Sequence, residues 1–127
     1  MQEKRVAVTG MGVVASLGTG LGEFWPALVS GKNGISRLTR FDASGFPSTM
    51  ASEVRDFDPL AFIERKEVRK MDLFTQYAIA AAQLAVEDSG LTPAELEGEG
   101  TGVCVGSGIG GIGSLEETHK VLLEKGP

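Results

Sequence analysis

Cysteine and histidine are the side chains that most often carry covalent and proton-transfer chemistry, and this chain has one of each, Cys104 and His119. Cys104 stands between Val103 and Val105 in an apolar run that predicts a strand. A reactive thiolate needs a helix N-terminus or a cationic neighbour to lower its pKa, and neither is expected there. Cys104 therefore reads as a core residue. His119 falls in a predicted helix beside Glu116 and Glu117, a solvated setting, and one histidine cannot build a catalytic relay alone. No spacing of Cys, His, Asp or Glu matches a metal site. The expectation is a chain with no catalytic residue, no metal and no cofactor of its own.

Recognition chemistry is better represented. Gly106–Gly113 reads GSGIGGIG, with glycine at five of its eight positions. Glycine tolerates φ > 0 and lets backbone pack where a Cβ would not fit. Such a run between a strand and a helix predicts close approach to a ligand or to another backbone. Ile109 is the large side chain that could point out of it, with Ile112 one helical turn on, so the run reads as a wall of a narrow apolar channel. The letters from Gly106 to Gly111 also fit the dinucleotide fingerprint GxGxxG, with Glu124 at about the separation of a ribose-binding acid. Gly10–Ala15 fits GxGxxA, but Gly18, Gly20 and Gly22 oppose the helix which that fingerprint requires, and loop chemistry is the simpler reading.

The second recognition feature is cationic. Arg65, Lys66, Arg69 and Lys70 stand just ahead of a predicted helix. Cations in a first turn oppose the helix dipole at about 0.3–1 kcal/mol each. In a chain that is acidic overall, the block is either a solvated turn offset by Glu64 and Glu67 or a dock for an acidic partner.

The elements that must position these groups follow from the pattern. Arg5–Thr9 and Thr101–Ser107 predict buried strands, and Ala51–Val54 a short one. Leu21–Ser30 predicts a helix capped near Thr19, with Phe24 and Leu28, joined by Trp25 and Val29, on its inner side, Pro26 near its first turn and Gly31 as its stop. Leu73–Ser89 predicts a long helix. Met71, Phe74, Ala78, Ala81 and Ala85 share one face, small enough to admit a close neighbour, and Gly90 ends it. A helical turn is expected at Thr92-Pro93 and a helix over Ser114–Lys125. The segment 33–58 reads as an irregular surface excursion.

Length and composition bound the answer. The 127 residues fit one domain, and 42% apolar content is ordinary for a globular protein. The net charge of −5 argues against general nucleic-acid binding. A lone cysteine excludes an intramolecular disulfide and fits a reducing, cytoplasmic setting. No signal peptide is read, and no run approaches the roughly 18 apolar residues of a membrane span.

In order along the chain, VAVTGMGVVASLG, WPALVSGKNGI, the Phe41-Asp42 pair, RKEVRKMD and GSGIGGIGSLEE resemble the N-terminal part of a β-ketoacyl-acyl carrier protein synthase. The nearest group is the elongating condensing enzymes of bacterial type II fatty acid synthesis. The resemblance runs from Arg5 to Pro127, and the order and spacing of its pieces make it specific. It implies an α/β fold: an incomplete thiolase-like fold, the N-terminal part of the first half, with a mixed sheet and packed helices. Residues 1–127 would be the N-terminal portion of a ketosynthase domain, ending before the catalytic cysteine, and inactive alone. The implied reaction is decarboxylative Claisen condensation of an acyl thioester with malonyl-acyl carrier protein, by a cytoplasmic homodimer. A non-catalytic chain-length partner of the same superfamily is the alternative. By the same resemblance Lys66, Arg69 and Lys70, with Arg65 adjacent, hold acyl carrier protein. Ile109 lines the acyl pocket, and Gly108 and Gly110 keep the backbone near the acyl chain.

Overall fold

The computed structural model describes residues 4–127. Its centre is a 17-residue helix, α3 (Leu73–Ser89), against which the N-terminal half of the chain is laid. Alanine makes this helix cheap to form and thin to approach. Gly90 ends it in the left-handed conformation, φ 67°, as its position after Asp88-Ser89 predicts.

Ahead of α3 come a small hairpin of β1 (Val14–Ala15) and β2 (Gly18–Thr19), then α1 (Leu21–Val29). Glu23 reaches back from the first turn of α1 to accept from the Thr19 amide at 3.0 Å, and Gly20, not Thr19, takes the cap position. Pro26 lies in the second turn of α1, further in than expected, and of the expected inner face only Phe24 is half-buried, while Trp25, Leu28 and Val29 are exposed. A second antiparallel ribbon pairs β3 (Ile35–Arg37) with β4 (Met50–Ser52) in the register Ser36 to Ala51. The Ser16 and Ser52 hydroxyls, 2.6 Å apart, pin the two ribbons together. After a 3-10 turn at Pro59–Ala61 come α2 (Arg65–Val68), α3, the short α4 (Pro93–Leu96) and α5 (Ile112–Lys125).

Gly10 and Gly12 explain how the N-terminal run meets α3. A Cβ on Gly10 would overlap the Ala85 carbonyl oxygen, and one on Gly12 would overlap that of Ala81. The Met11 amide between them donates to Asp88 Oδ2 at 2.9 Å. The GxG letters here thus serve a backbone-on-helix contact, and the small-residue face of α3 is used as its composition suggests. The most buried positions of α3, Gln76 and Ala80, lie on the opposite side of the helix from the face read from periodicity, of which Phe74 is exposed. Elsewhere, Phe57 stacks on Phe62 at 5.9 Å and meets Tyr77 edge-on at 5.0 Å, and Ile63 is buried.

Two expected strands do not form. Arg5–Thr9 and Thr101–Ser107 join no ladder among the described residues, so the mixed sheet is replaced by the two small ribbons. Apolar β-branched residues favour extended backbone, but a strand requires a partner for its N–H and C=O groups. Val6 is 94% and Val103 86% exposed. Cys104 is exposed as well, which corrects its reading as a core residue. The fold is α/β with small sheets.

Candidate functional site

The cationic block forms its own element. Arg65 and Lys66 lie in α2, Arg69 caps its C-terminal end, and Lys70 leads into the turn before α3. All four side chains are exposed. Because α2 ends before α3 begins, the cations are not in the first turn of α3, and the expected dipole penalty there does not arise. Lys66 pairs with Glu64 and Lys70 with Glu67, each at 2.9 Å. The two lysine side chains remain 72% and 66% exposed. Exposed pairs of this kind contribute at most about 1 kcal/mol, so both ammonium groups stay available to a stronger acidic partner. No ion pair of Arg65 or Arg69 is found among the described residues.

A buried amide holds this block to the helix. Gln76 Nε2 donates to the Met71 carbonyl at 2.8 Å and to the Val68 carbonyl at 3.2 Å. The Val68 carbonyl also accepts from the Met71 amide at 3.3 Å, so Gln76 adds a second donor there and supplies a partner to the Met71 carbonyl. A buried polar side chain with both contacts made stabilises one arrangement of the turn and disfavours others.

The glycine-rich loop reaches the same corner of the molecule. Asp72, two residues after Lys70, is the N-cap residue of α3. Its Oδ1 accepts from Ser114 Oγ, and a Cβ on Gly111 would overlap its Oδ2. Gly110 adopts φ 78°, and a Cβ there would stand 3.5 Å from the Phe74 ring. Ser107 Oγ closes the loop by accepting from the Gly110 amide at 3.0 Å. Arg40, Asp72, Phe74, Gly110, Gly111 and Ile112 border a groove of about 300 Å³. Gly108 has open space around it and Ile109 is 75% exposed. The close approach predicted for the run is made by Gly110 and Gly111, one step later than Ile109.

Arg40 is positioned from below. Glu53, buried in the turn after β4, accepts from the Thr39 amide and hydroxyl, the Arg40 amide and Arg55 Nη2, at 2.9 to 3.2 Å. The Thr39 amide above all, then the Thr39 hydroxyl and Arg55, hold its carboxyl down at about 2 against the opposing cost of burial. Arg40 Nη2 donates to the Tyr77 hydroxyl at 3.1 Å and to the Val54 carbonyl at 3.3 Å.

Sequence reasoning did not single out Gln76, Asp72 or Glu53. A glutamine four residues before the buried Ala80 and an aspartate just before a helix were the available signals for the first two. Nothing local marked Glu53.

The dinucleotide reading of Gly106–Gly111 meets an obstacle here. That fingerprint seats a pyrophosphate at the N-terminus of the following helix. At α5 this end already faces the Asp72 carboxylate. His119 is exposed on α5, as expected, and no metal-binding cluster occurs among the described residues. No helix of the described residues is long and apolar enough to cross a membrane.

Comparison with known proteins settles the class. The profile of the β-ketoacyl synthase N-terminal domain matches residues 3–126. The chain belongs to the β-ketoacyl synthase family. It is 47% identical over 127 residues to the 3-oxoacyl-[acyl-carrier-protein] synthase 2 of Coxiella burnetii, covering 100% of this chain and 31% of that protein. It is 43% identical to the Synechocystis protein of the same name, covering 100% of this chain and 30% of that one. A solved structure titled the ishigamide ketosynthase/chain length factor matches with TM-score 0.81 and 37% identity, over 94% of this chain and 30% of that one. A β-ketoacyl synthase from Burkholderia phymatum matches with TM-score 0.67 and 31% identity, over 98% of this chain and 31% of that one. The chain thus spans about a third of the length of these relatives.

Proposed function

We propose that this chain is the N-terminal portion of a 3-oxoacyl-acyl carrier protein synthase, an acyltransferase of fatty acid biosynthesis. In the complete enzyme an acyl group passes from the carrier's phosphopantetheine thiol to an enzyme cysteine, with the carrier thiol leaving. Malonyl-carrier then loses carbon dioxide. The electron pair of the broken carbon–carbon bond attacks the acyl thioester carbonyl, and the cysteine thiolate departs. The chemistry requires an activated thiolate and hydrogen-bond donors at the developing oxyanion and enolate. The nucleophile and its two histidines belong to the longer part of the family's length, and this segment supplies recognition and shape.

The observation that carries this reading is the corner where α2, the start of α3 and the glycine-rich loop meet. Arg65, Lys66, Arg69 and Lys70 offer an exposed cationic face suited to an acidic carrier protein. Beside it, Gly108, Ile109 and Gly110 would form one wall of the acyl pocket, with the remaining walls from the rest of the enzyme. The working enzyme is a cytoplasmic homodimer in this reading.

The experiment is charge reversal in the complete enzyme. Lys66→Glu with Lys70→Glu lowers the association rate with acyl carrier protein on the order of tenfold or more at low salt, and added salt shrinks the difference. Unaltered association at low salt removes the docking role.

The likeness to a ketosynthase/chain length factor structure favours a second reading, a non-catalytic chain-length partner. The residue at the downstream nucleophile position decides between them, cysteine for the enzyme and glutamine for the partner. A third reading, a dinucleotide-binding module, predicts a saturable change in Trp25 fluorescence on cofactor titration, and a flat titration removes it.

A further inference from the structure

We infer that Asp72 is a positioning residue which fixes the glycine-rich loop against the carrier-docking turn, and so sets where the Ile109 wall stands. The inference rests on the docking and pocket roles proposed above. An aspartate at the N-cap of a helix ordinarily spends its carboxylate on that helix's own free amides. Asp72 does not, since its side chain makes no capping hydrogen bond to α3. Both oxygens are turned instead to a segment about 40 residues further on. Oδ1 accepts from Ser114, 42 residues away in sequence, and Oδ2 occupies the space that a side chain at position 111 would need.

The placement favours both helices. The Asp72 backbone carbonyl accepts from the Thr75 and Gln76 amides of α3 at 3.0 and 3.1 Å. Its carboxylate stands at the N-terminal end of α5, whose first turn carries no acidic residue. Negative charge is favoured at that end. One residue therefore serves the starts of two helices, α3 through its backbone carbonyl and α5 through its carboxylate. On the α3 side it continues directly from Lys70 and Met71, and Gln76 holds that turn by the Met71 carbonyl. On the α5 side it continues into Gly110 and Ile109. The geometry makes Asp72 the joint between the carrier's landing surface and the pocket wall.

The test uses the complete ketosynthase that carries this segment and reads the ratio of kcat/KM for long over short acyl-carrier substrates. Asp72→Ala and Ser114→Ala each shift this ratio about three- to tenfold, the worth of one hydrogen bond. The double variant shifts it no further than the larger single change, because both remove the same contact. Asp72→Asn, which still offers an acceptor to Ser114, stays within about twofold of the parent ratio. Gly12→Ala, destabilising but remote from the loop, leaves the ratio unchanged. Additive effects of Asp72→Ala and Ser114→Ala, or an equal shift in Gly12→Ala, overturn the inference. So does an unmoved ratio in both alanine variants where Ile109→Phe moves it. A ratio unmoved by Ile109→Phe itself removes the pocket role, and this inference with it.

Discussion

Glu53 shows how one side chain can organise a loop far from any charge cluster. Its carboxylate takes hydrogen bonds from Thr39, Arg40 and Arg55, and its pKa falls to about 2 from an ordinary 4.5. A depressed carboxyl contributes stability that is complete above its unfolded value and disappears as pH falls through its folded one. The stability advantage of the parent over Glu53→Gln is therefore full above pH 4.5. It shrinks steadily toward pH 2, as unfolding midpoints measured across that range will read. Gly12 makes the opposite kind of demand, for the absence of a side chain. Gly12→Ala forces a methyl group into the Ala81 carbonyl and destabilises by about 1–3 kcal/mol, the usual cost of overpacking, measured by denaturant unfolding. Ile109→Phe adds ring volume to the proposed pocket wall. It shortens the acyl chain accepted by the complete enzyme, measured as the product length distribution.

Among the elements, α2 is too short to persist by itself, since nucleating a helix costs more than one turn returns. It is held from outside by Gln76, whose amide bonds the Val68 and Met71 carbonyls. Gln76→Leu leaves the Met71 carbonyl unpaired beside an apolar group and takes one of two donors from the Val68 carbonyl, at about 1–3 kcal/mol. Hydrogen exchange at the amides of residues 66–71 speeds up in that variant, while exchange at the centre of α3 changes less. Protection preserved across α2 would show that its charges and backbone, not the buried amide, hold it.

At the scale of the whole molecule, the apolar surface is uneven. Val6, Val8, Val103, Val105, Ile109, Leu115 and Leu123 are all exposed. They lie in segments that read in sequence as two strands, a pocket wall and a helix. Exposed apolar patches on soluble proteins mark contacts with something else. The 127-residue chain prepared alone is expected to self-associate and to bind a hydrophobic dye, a concentration-dependent behaviour that sedimentation velocity will detect. A monodisperse, dye-silent monomer would show that these segments find cover within the chain.

What the sequence by itself determined is local, or is carried by the order of short motifs. Helices α1, α3 and α5, the stops at Gly31 and Gly90 and the exposure of the cationic block were all legible, because periodicity, left-handed glycine and solvated charge act within a few residues. The family was legible too, from RKEVRKMD and GSGIGGIG in their order. The strands at Arg5–Thr9 and Thr101–Ser107 were not settled that way. Their composition is right, but a strand is made by its partner, and pairing is a property of the chain's path. The same limit hid the meeting of Asp72 with Ser114, of Glu53 with Thr39 and of Gly12 with Ala81. Each joins segments that no repeat or spacing relates. Only the tertiary structure decided those contacts, because hydrogen bonds and steric exclusion act between neighbours in space, and folding alone makes distant residues neighbours.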